Sequence, residues 1–270
     1  MDATKSTKPK PQEILRLAAK TGIVHALEIV RSGASPETVF HEVRKQLKEV
    51  RSVLRLAGAP TKASEKLSAI FRDIRRRTGG VRDAHAQQRT LETLSGALRG
   101  TDGFEVCKAM QERLGVVASR VDADRLNGFI QARLLVANDL LEDWPPDKIR
   151  WASLRGSLQK GRNDCLKAMR KACRQLRTEH LHEWRKAAKS WLHQVRFIEK
   201  LVQEPEGKLS RHLKKLCELL GSDHDLALIE QKLAKSKVRG VIIFRRVLKE
   251  KRASLQKRAM SLGVKTETDP

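Results

Sequence analysis

The chain has 270 residues, of which 40% are hydrophobic, as expected for a globular protein of one large or two smaller domains. Its charge is unusual, because 56 Lys and Arg residues against 32 Asp and Glu residues leave a net charge of +24. This excess favours anionic partners such as nucleic acid, phosphate polymers, acidic proteins or anionic membranes. No apolar run reaches the ~18 residues of a membrane span, and residues 1–12 are too polar and Lys-rich for a secretory signal.

Hydrophobic periodicity is helical throughout, so an all-α fold is expected. Ser35-Pro36-Glu37 is typical of a helix start, with a cap residue, a proline and an acid in the first turn. The tails at 1–11 and 263–270 are predicted to be disordered. In chain order, the predicted helices lie near 12–32, 36–57, 62–77, 81–98, 104–114, 118–143, 148–178, 180–203, 206–220, 223–236 and 238–261.

The four cysteines, Cys107, Cys165, Cys173 and Cys217, form no C-x-x-C pair. This spacing is typical of small core residues in a reducing compartment, and not of a disulfide framework or a zinc site. The cytoplasm, or a nucleus where there is one, is therefore expected.

Two segments, 141 positions apart, carry the same series of charges. Each has His, Arg, Lys, Lys and Arg at offsets 0, +3, +4, +7 and +14. The members are His41, Arg44, Lys45, Lys48 and Arg55 in the first segment, and His182, Arg185, Lys186, Lys189 and Arg196 in the second. At ~100° per residue, Arg44, Lys48, Arg51 and Arg55 fall beside the apolar sector of a helix.

The predicted apolar sectors contain Phe40, Val43, Leu47, Val50 and Leu54 in the first segment, and Trp184, Ala188, Trp191 and Val195 in the second. Glu42, Glu49 and Glu183 fall away from the cations of their segments. An exposed helix ordinarily alternates its charges to form i,i+4 pairs. Since the segregation is repeated, it favours an anion-binding stripe over a merely solvated basic face.

A second basic set follows on the next helix of each segment. The members are Arg72, Arg75, Arg76, Arg77 and Arg82 in the first half, and Lys208, Arg211, Lys214, Lys215 and His224 in the second. Arg72, Arg75 and Arg76 are the preferred ligands, because Arg72 and the three consecutive arginines 75–77 cannot all face one way. Arg162 belongs to a further basic helix whose cations are less cleanly sorted.

The repeat extends past the charges at an offset of 142, where Gly79 matches Gly221 and Arg82-Asp83 matches His224-Asp225. Two copies are too few for a solenoid. They predict helical bundles over 12–144 and 147–262, related by pseudo-twofold symmetry. Each aspartate is expected just past a glycine turn, where it would cap a helix or orient a neighbouring Arg or His.

The matched His41 and His182 raise the possibility of a metal site, but a divalent cation disfavours a field of arginines. We expect these histidines to form hydrogen bonds with a phosphate instead. Phosphate-loop, nucleophile-elbow, zinc-protease and dinucleotide motifs are missing from the sequence, and no cofactor is expected. A phosphoryl-transfer enzyme would need a carboxylate pair, for which Asp83 and Asp225 are the repeated candidates.

The motif H-x-x-R-K-x-x-K, followed a helix later by a glycine and R-D or H-D, resembles the CHAD domain family. The closer match is His182-Glu-Trp-Arg185-Lys186-x-x-Lys189 with Gly221-Ser-Asp-His224-Asp225. The first half matches through His41-x-x-Arg44-Lys45-x-x-Lys48 and Arg82-Asp83-Ala84. The resemblance covers roughly residues 10–262.

The resemblance implies an all-α fold with basic residues along a groove or pore between two bundles. It also implies binding of inorganic polyphosphate, in the cytoplasm and in association with polyphosphate granules. The ligands it implies are Arg44, Lys45, Lys48, Arg51, Arg55, Arg72, Arg75, Arg76 and Arg82 in the first half, and Arg185, Lys186, Lys189, Arg196, Lys214 and Lys215 in the second. Leu192 replaces Arg51 in the second copy, so the halves are expected to hold the anion differently.

Many members of the family carry an attached triphosphate-tunnel catalytic domain, which these residues do not contain, so no hydrolase activity is expected. Sequence-independent binding to the phosphates of duplex nucleic acid is the alternative. Recognition of single strands is disfavoured, because it needs aromatic platforms and only 4% of the residues are aromatic.

Overall fold

The computed structural model describes residues 10–58, 60–119, 122–144, 149–233 and 239–268, with the side chains of all of these except 82, 117–119 and 268. These residues form ten α-helices and no strand, which confirms the predicted all-α fold. The helices are α1 (Pro11–Arg31), α2 (Pro36–Leu56), α3 (Lys62–Arg77), α4 (Gly79–Leu98), α5 (Asp102–Ser119), α6 (Ala123–Leu140), α7 (Trp151–Arg174), α8 (Thr178–Leu201), α9 (Lys208–Leu233) and α10 (Arg239–Thr268).

Helix α2 begins as its sequence predicts. The Ser35 hydroxyl accepts a hydrogen bond from the Thr38 amide at 3.4 Å, and Pro36 occupies the first helical position. The predicted apolar sector of α2 is buried throughout, as is that of α8, including Trp184 and Trp191. The helical periodicity therefore identified the core-facing side of both helices. Among the described residues, no helix is both long and apolar enough to cross a bilayer.

The glycine turn expected before Asp225 does not exist, and the one expected before Asp83 lies earlier, at Thr78 between α3 and α4. Helix α9 runs unbroken through Gly221, although two helices were predicted there, and α4 already begins at Gly79. The space at Gly221 is used by a side chain, because a Cβ atom there would lie 3.7 Å from Nε of Arg185. Asp83 and Asp225 therefore lie inside helices, and the predicted capping role is wrong for both.

Helix α10 also corrects the predicted C-terminal tail, because it continues to Thr268. A Cβ atom at Gly263 would come within 2.7 Å of the Trp184 ring, so this close approach requires a glycine. The Thr266 side chain is buried, and Arg162 donates to the carbonyl oxygen of Glu267 at 2.8 Å. These contacts order a segment whose sequence is typical of a polar tail.

At the N-terminal end, Pro11 begins α1 and is buried, while 1–9 lie outside the described residues.

The chain divides into two compact units that alternate along the sequence. The first unit consists of the chain up to Arg77 together with Ala123–Gln159. The second unit consists of Thr78–Asp122 together with the chain from Lys160 onward. In the second unit, α4 and α5 share a hydrophobic core with α9 and α10, including Leu91, Leu94, Ile229 and Phe244. The contiguous halves 12–144 and 147–262 are therefore not the compact units. The pseudo-twofold relation stays a prediction.

A buried ion-pair network joins α9 to α10 in the second unit. Asp223, with 2% of its surface exposed, accepts hydrogen bonds from Nε of Arg252 at 3.0 Å and from Nε2 of Gln256 at 2.8 Å. Arg252 also donates to the Glu230 carboxylate and, at 3.1 Å, to the Thr178 hydroxyl. Burial lowers the pKa of Arg252, but its hydrogen bonds to both carboxylates outweigh that effect and raise the pKa overall.

Replacing Arg252 tests this network. Arg252→Met should destabilise the protein by about 3–5 kcal/mol, because it leaves the Asp223 carboxylate buried without its cation. The measurement is urea unfolding followed by circular dichroism. Lys249→Met, an exposed change on the same helix, is the control and should stay within about 0.5 kcal/mol of the unaltered protein. Equal unfolding midpoints for the two variants would contradict a stabilising role for the network.

Candidate anion-binding site

The charges of three arginines of α2 and α3 act on a fourth, Arg51, in the first unit. Burial lowers the pKa of Arg51, and repulsion from the charges of Arg55, Arg75 and Arg72 lowers it further. We call these four residues the arginine cluster. Every charged group that shifts this pKa is another arginine. Because Arg51 is half-buried, water screens this repulsion less than it would at the protein surface.

Arg44 supports the cluster from the neighbouring turn of α2. Its Nη1 donates to the carbonyl oxygen of Arg75 at 2.9 Å, in the last turn of α3, where carbonyl groups have no partner within the helix. This bond ties α2 to the end of α3 that carries Arg75. Lys48, one turn after Arg44, is exposed on α2.

Two predicted ligands of the first half are engaged by acids. Lys45 forms an ion pair with Glu42 at 3.1 Å, and Glu42 also lies 3.8 Å from Nε2 of His41. The expected separation of Glu42 from the cations is therefore wrong at this turn, because Lys45 follows at i+3 and reaches it.

Arg76 points away from the arginine cluster. It forms an ion pair with Asp73 at 2.7 Å, and Arg133 approaches the other oxygen of the same carboxylate at 3.2 Å. Arg77 stacks on the Phe129 ring with 4.0 Å between its Cζ and the ring centroid. This set holds α3 against α6. The side chain of Arg82, another predicted ligand, lies outside the described residues.

The second unit brings its own cations together between α8 and α9. Arg185 is half-buried with its guanidinium against Gly221. Burial raises the pKa of the Cys217 thiol to about 12, while the nearby charges of Lys189, Arg185 and Arg196 act in the opposite direction. The charges of these three cations therefore act on the same buried thiol.

Two predicted ligands, His182 and His224, pair their rings beside this group, with centroids 4.3 Å apart and planes inclined by 32°. His182 comes from α8 and His224 from α9, so the pair joins the two helices that carry the cations. Within the part of the chain that the structure describes, no group of three or more His, Cys, Asp or Glu side chains could hold a metal ion.

A carboxylate binds one of the cations that lie between α8 and α9. Glu206, in the connection between α8 and α9, accepts a hydrogen bond from Arg196. That bond, with the charges of Lys214 and Arg211, lowers the pKa of Glu206, which is fully exposed. Arg196 corresponds to Arg55 of the arginine cluster, so the two halves differ at a matched position.

Three further predicted ligands lie apart from this group. Arg162 binds the Glu267 carbonyl and so secures the end of α10. Lys186 lies near Glu183, whose pKa is lowered mainly by a hydrogen bond from Lys171 and less by Lys186. Lys215 lies ~120° around α9 from Gly221, whereas Lys214 lies only ~20° from it. Glu183 was predicted to lie away from the cations, but it forms an ion pair with Lys171 at 2.9 Å.

Sequence reasoning missed Glu206, Asp223 and Arg252. Asp223 lies inside the Gly221–Asp225 motif. Its position in this repeated motif was the sequence signal that could have identified it. Arg252 lies beyond the matched segments, and Glu206 lies where the offset changes from 141 to 142, so the repeat did not single out either residue.

The thiols provide a test of this arrangement. Cys107, Cys165 and Cys217 are buried as predicted, but Cys173 is exposed, which corrects the sequence prediction for that residue. Burial raises the pKa of Cys165 to about 12, as it does for Cys217. Iodoacetamide at pH 8 should therefore modify Cys173 well before the other three, as followed by mass spectrometry of peptides.

The same labelling in urea is the control, since all four thiols should then react at similar rates. Fast modification of Cys217 in the folded protein would contradict the burial of this thiol between α8 and α9.

A family model described as CHAD domain matches residues 13–234. Among solved structures, the crystal structure of the CHAD domain from the plant Ricinus communis is similar, with a TM-score of 0.65 and 18% sequence identity. That match covers 100% of this chain and 97% of the plant chain. At this identity the likeness shows the fold alone. A comparison with curated protein sequences found no match.

Proposed function

Since this chain belongs to the CHAD domain family, as the family model over residues 13–234 shows, we propose that it binds inorganic polyphosphate. The observation that carries the proposal is the arginine cluster, in which Arg51 is partly buried among three like charges. The repulsion that these charges exert on Arg51 is relieved when an anion arrives. The role is one of binding, and it would bring the protein to polyphosphate granules.

A chain of phosphates suits the cluster better than a single ion does. Arginine presents a planar fork that binds phosphate oxygens in pairs, and four such forks from two helices can take several consecutive phosphates. Arg44 would contribute by holding the Arg75 turn, and Lys48 by extending the row of cations along α2. Binding would release counterions and weaken steeply with added salt.

Binding to duplex nucleic acid through its phosphates is the alternative that any test must separate. Like polyphosphate binding, it gains free energy from the release of counterions from the phosphates. Recognition of single strands is disfavoured by composition, and Trp184 and Trp191 are buried in the core and cannot stack on bases.

Neutralising the arginine cluster tests the proposal. The variant with Arg51→Gln, Arg55→Gln, Arg72→Gln and Arg75→Gln should bind long-chain polyphosphate at least about 100-fold more weakly at physiological salt. Its plot of log affinity against log salt should also lose about three units of slope. Titration calorimetry at several salt concentrations gives both quantities.

A control variant with the same loss of four charges uses exposed cations of the second unit, namely Arg99, Lys108, Lys249 and Lys257. It should lose far less affinity. Equal losses of affinity in the two variants would overturn the site assignment.

Glu206 offers a second test, because a polyphosphate at Arg196 must displace its carboxylate. Glu206→Gln should strengthen polyphosphate binding by roughly threefold to tenfold, since the competing anion is removed. Glu204→Gln removes an exposed charge two residues away and is the matched control. If both variants bind polyphosphate equally well, Arg196 takes no part in the site.

A further inference from the structure

Helix α10 of the second unit exposes many cations and few acids. Among the described side chains of its 30 residues, seven Lys and Arg side chains are exposed against one exposed acid, Glu250. Five of the seven form no hydrogen bond or ion pair with any described residue, namely Arg245, Arg246, Lys249, Lys257 and Arg258. These charges are therefore available to a partner outside the chain.

The core determines which side of α10 faces the solvent. Val241, Phe244 and Leu248 belong to the hydrophobic core of the second unit, and Ala259 is buried as well. All four lie ~160–220° around the helix axis from Arg246. The side of α10 that carries Arg246 therefore points directly away from the core.

Two further cations and two apolar residues share this outward side with Arg246. Lys249 lies ~60° from Arg246 on one side and Lys257 ~20° on the other, and Ile242 and Val264 fall between these limits. We call these five residues the outer face of α10. The outer face holds three cations and no acid, because Glu250 lies ~20° beyond Lys257.

The apolar residues of the outer face are well exposed. Ile242 has 53% of its surface accessible and Val264 has 57%. They stand near opposite ends of α10, ~33 Å apart at the rise of an α-helix, with the three cations between them. The outer face thus presents an apolar group near each end of a basic row.

This combination distinguishes between anionic partners. A bare phosphate chain, or the phosphates of a duplex, would satisfy the cations and leave both apolar side chains in water. A bilayer with anionic lipids offers phosphate groups to the cations and an apolar layer just beneath them. Long Lys and Arg side chains can reach the phosphates while shorter apolar side chains lie deeper.

We propose that the outer face of α10 binds the surface of a bilayer that contains anionic lipids. Arg246, Lys249 and Lys257 contact the lipid phosphates, and Ile242 and Val264 enter the boundary between head groups and acyl chains. The opposite side of α10 stays in the core, so the helix lies along the surface without crossing it. The outer face shares no residue with the arginine cluster, and this inference does not depend on the proposed polyphosphate function.

Co-sedimentation of the full chain with lipid vesicles at physiological salt tests the proposal. Vesicles of phosphatidylcholine with about 30% phosphatidylglycerol should bind at least about tenfold more tightly than vesicles of phosphatidylcholine alone. The triple variant Arg246→Gln, Lys249→Gln and Lys257→Gln should bind the anionic vesicles at least about tenfold more weakly. The matched control removes three exposed charges of the first unit, through Arg31→Gln, Lys62→Gln and Lys66→Gln, and should change vesicle binding by less than about twofold.

The double variant Ile242→Ser with Val264→Ser keeps every charge and should weaken binding to anionic vesicles by at least about fivefold. Both positions are exposed, so the variant should fold, as circular dichroism can verify. The arginine-cluster variant should bind the vesicles as the unaltered protein does. Equal vesicle binding by the triple variant and its control overturns the proposal. A triple variant that loses affinity for polyphosphate or duplex DNA but not for vesicles overturns it too.

Discussion

Repulsion on the half-buried guanidinium of Arg51 is the constraint on which the proposed site of the first unit depends. Arg51 lies half-buried on α2 among the charges of Arg55, Arg72 and Arg75, and its lowered pKa expresses the cost. The geometry persists because α2 buries its apolar sector and Arg44 fixes the end of α3 through the Arg75 carbonyl. The surrounding core therefore maintains a charge arrangement that is unfavourable by itself, which is typical of binding sites.

The two units treat the same repeated pattern in different ways. Where the first places Arg55 among other arginines, the second places the matched Arg196 against the Glu206 carboxylate. The second unit also replaces Arg51 by Leu192 and adds the ring pair of His182 and His224. Acids engage cations of both units, since Glu42 pairs with Lys45 and Asp73 with Arg76 in the first.

Helical spacing predicted what depends on one helix alone. The buried sectors of α2 and α8 and the start of α2 at Ser35 followed from the sequence, since each depends on residues within a few turns. Gly221 was misjudged, because its space is used by Arg185 from another helix. The Asp223–Arg252 pair and the bond between Arg196 and Glu206 likewise join separate elements, and no local pattern reports such contacts.

The most direct test of the central claim is a competition titration in which polyphosphate chains of increasing length displace labelled duplex DNA from the protein at physiological salt. A polyphosphate site on the arginine cluster predicts that polyphosphate displaces DNA at lower phosphate concentration than unlabelled DNA does. It also predicts that displacement improves with chain length until the cluster is spanned. Tighter binding of the duplex, or displacement that is independent of chain length, would contradict the account and favour nucleic acid as the partner.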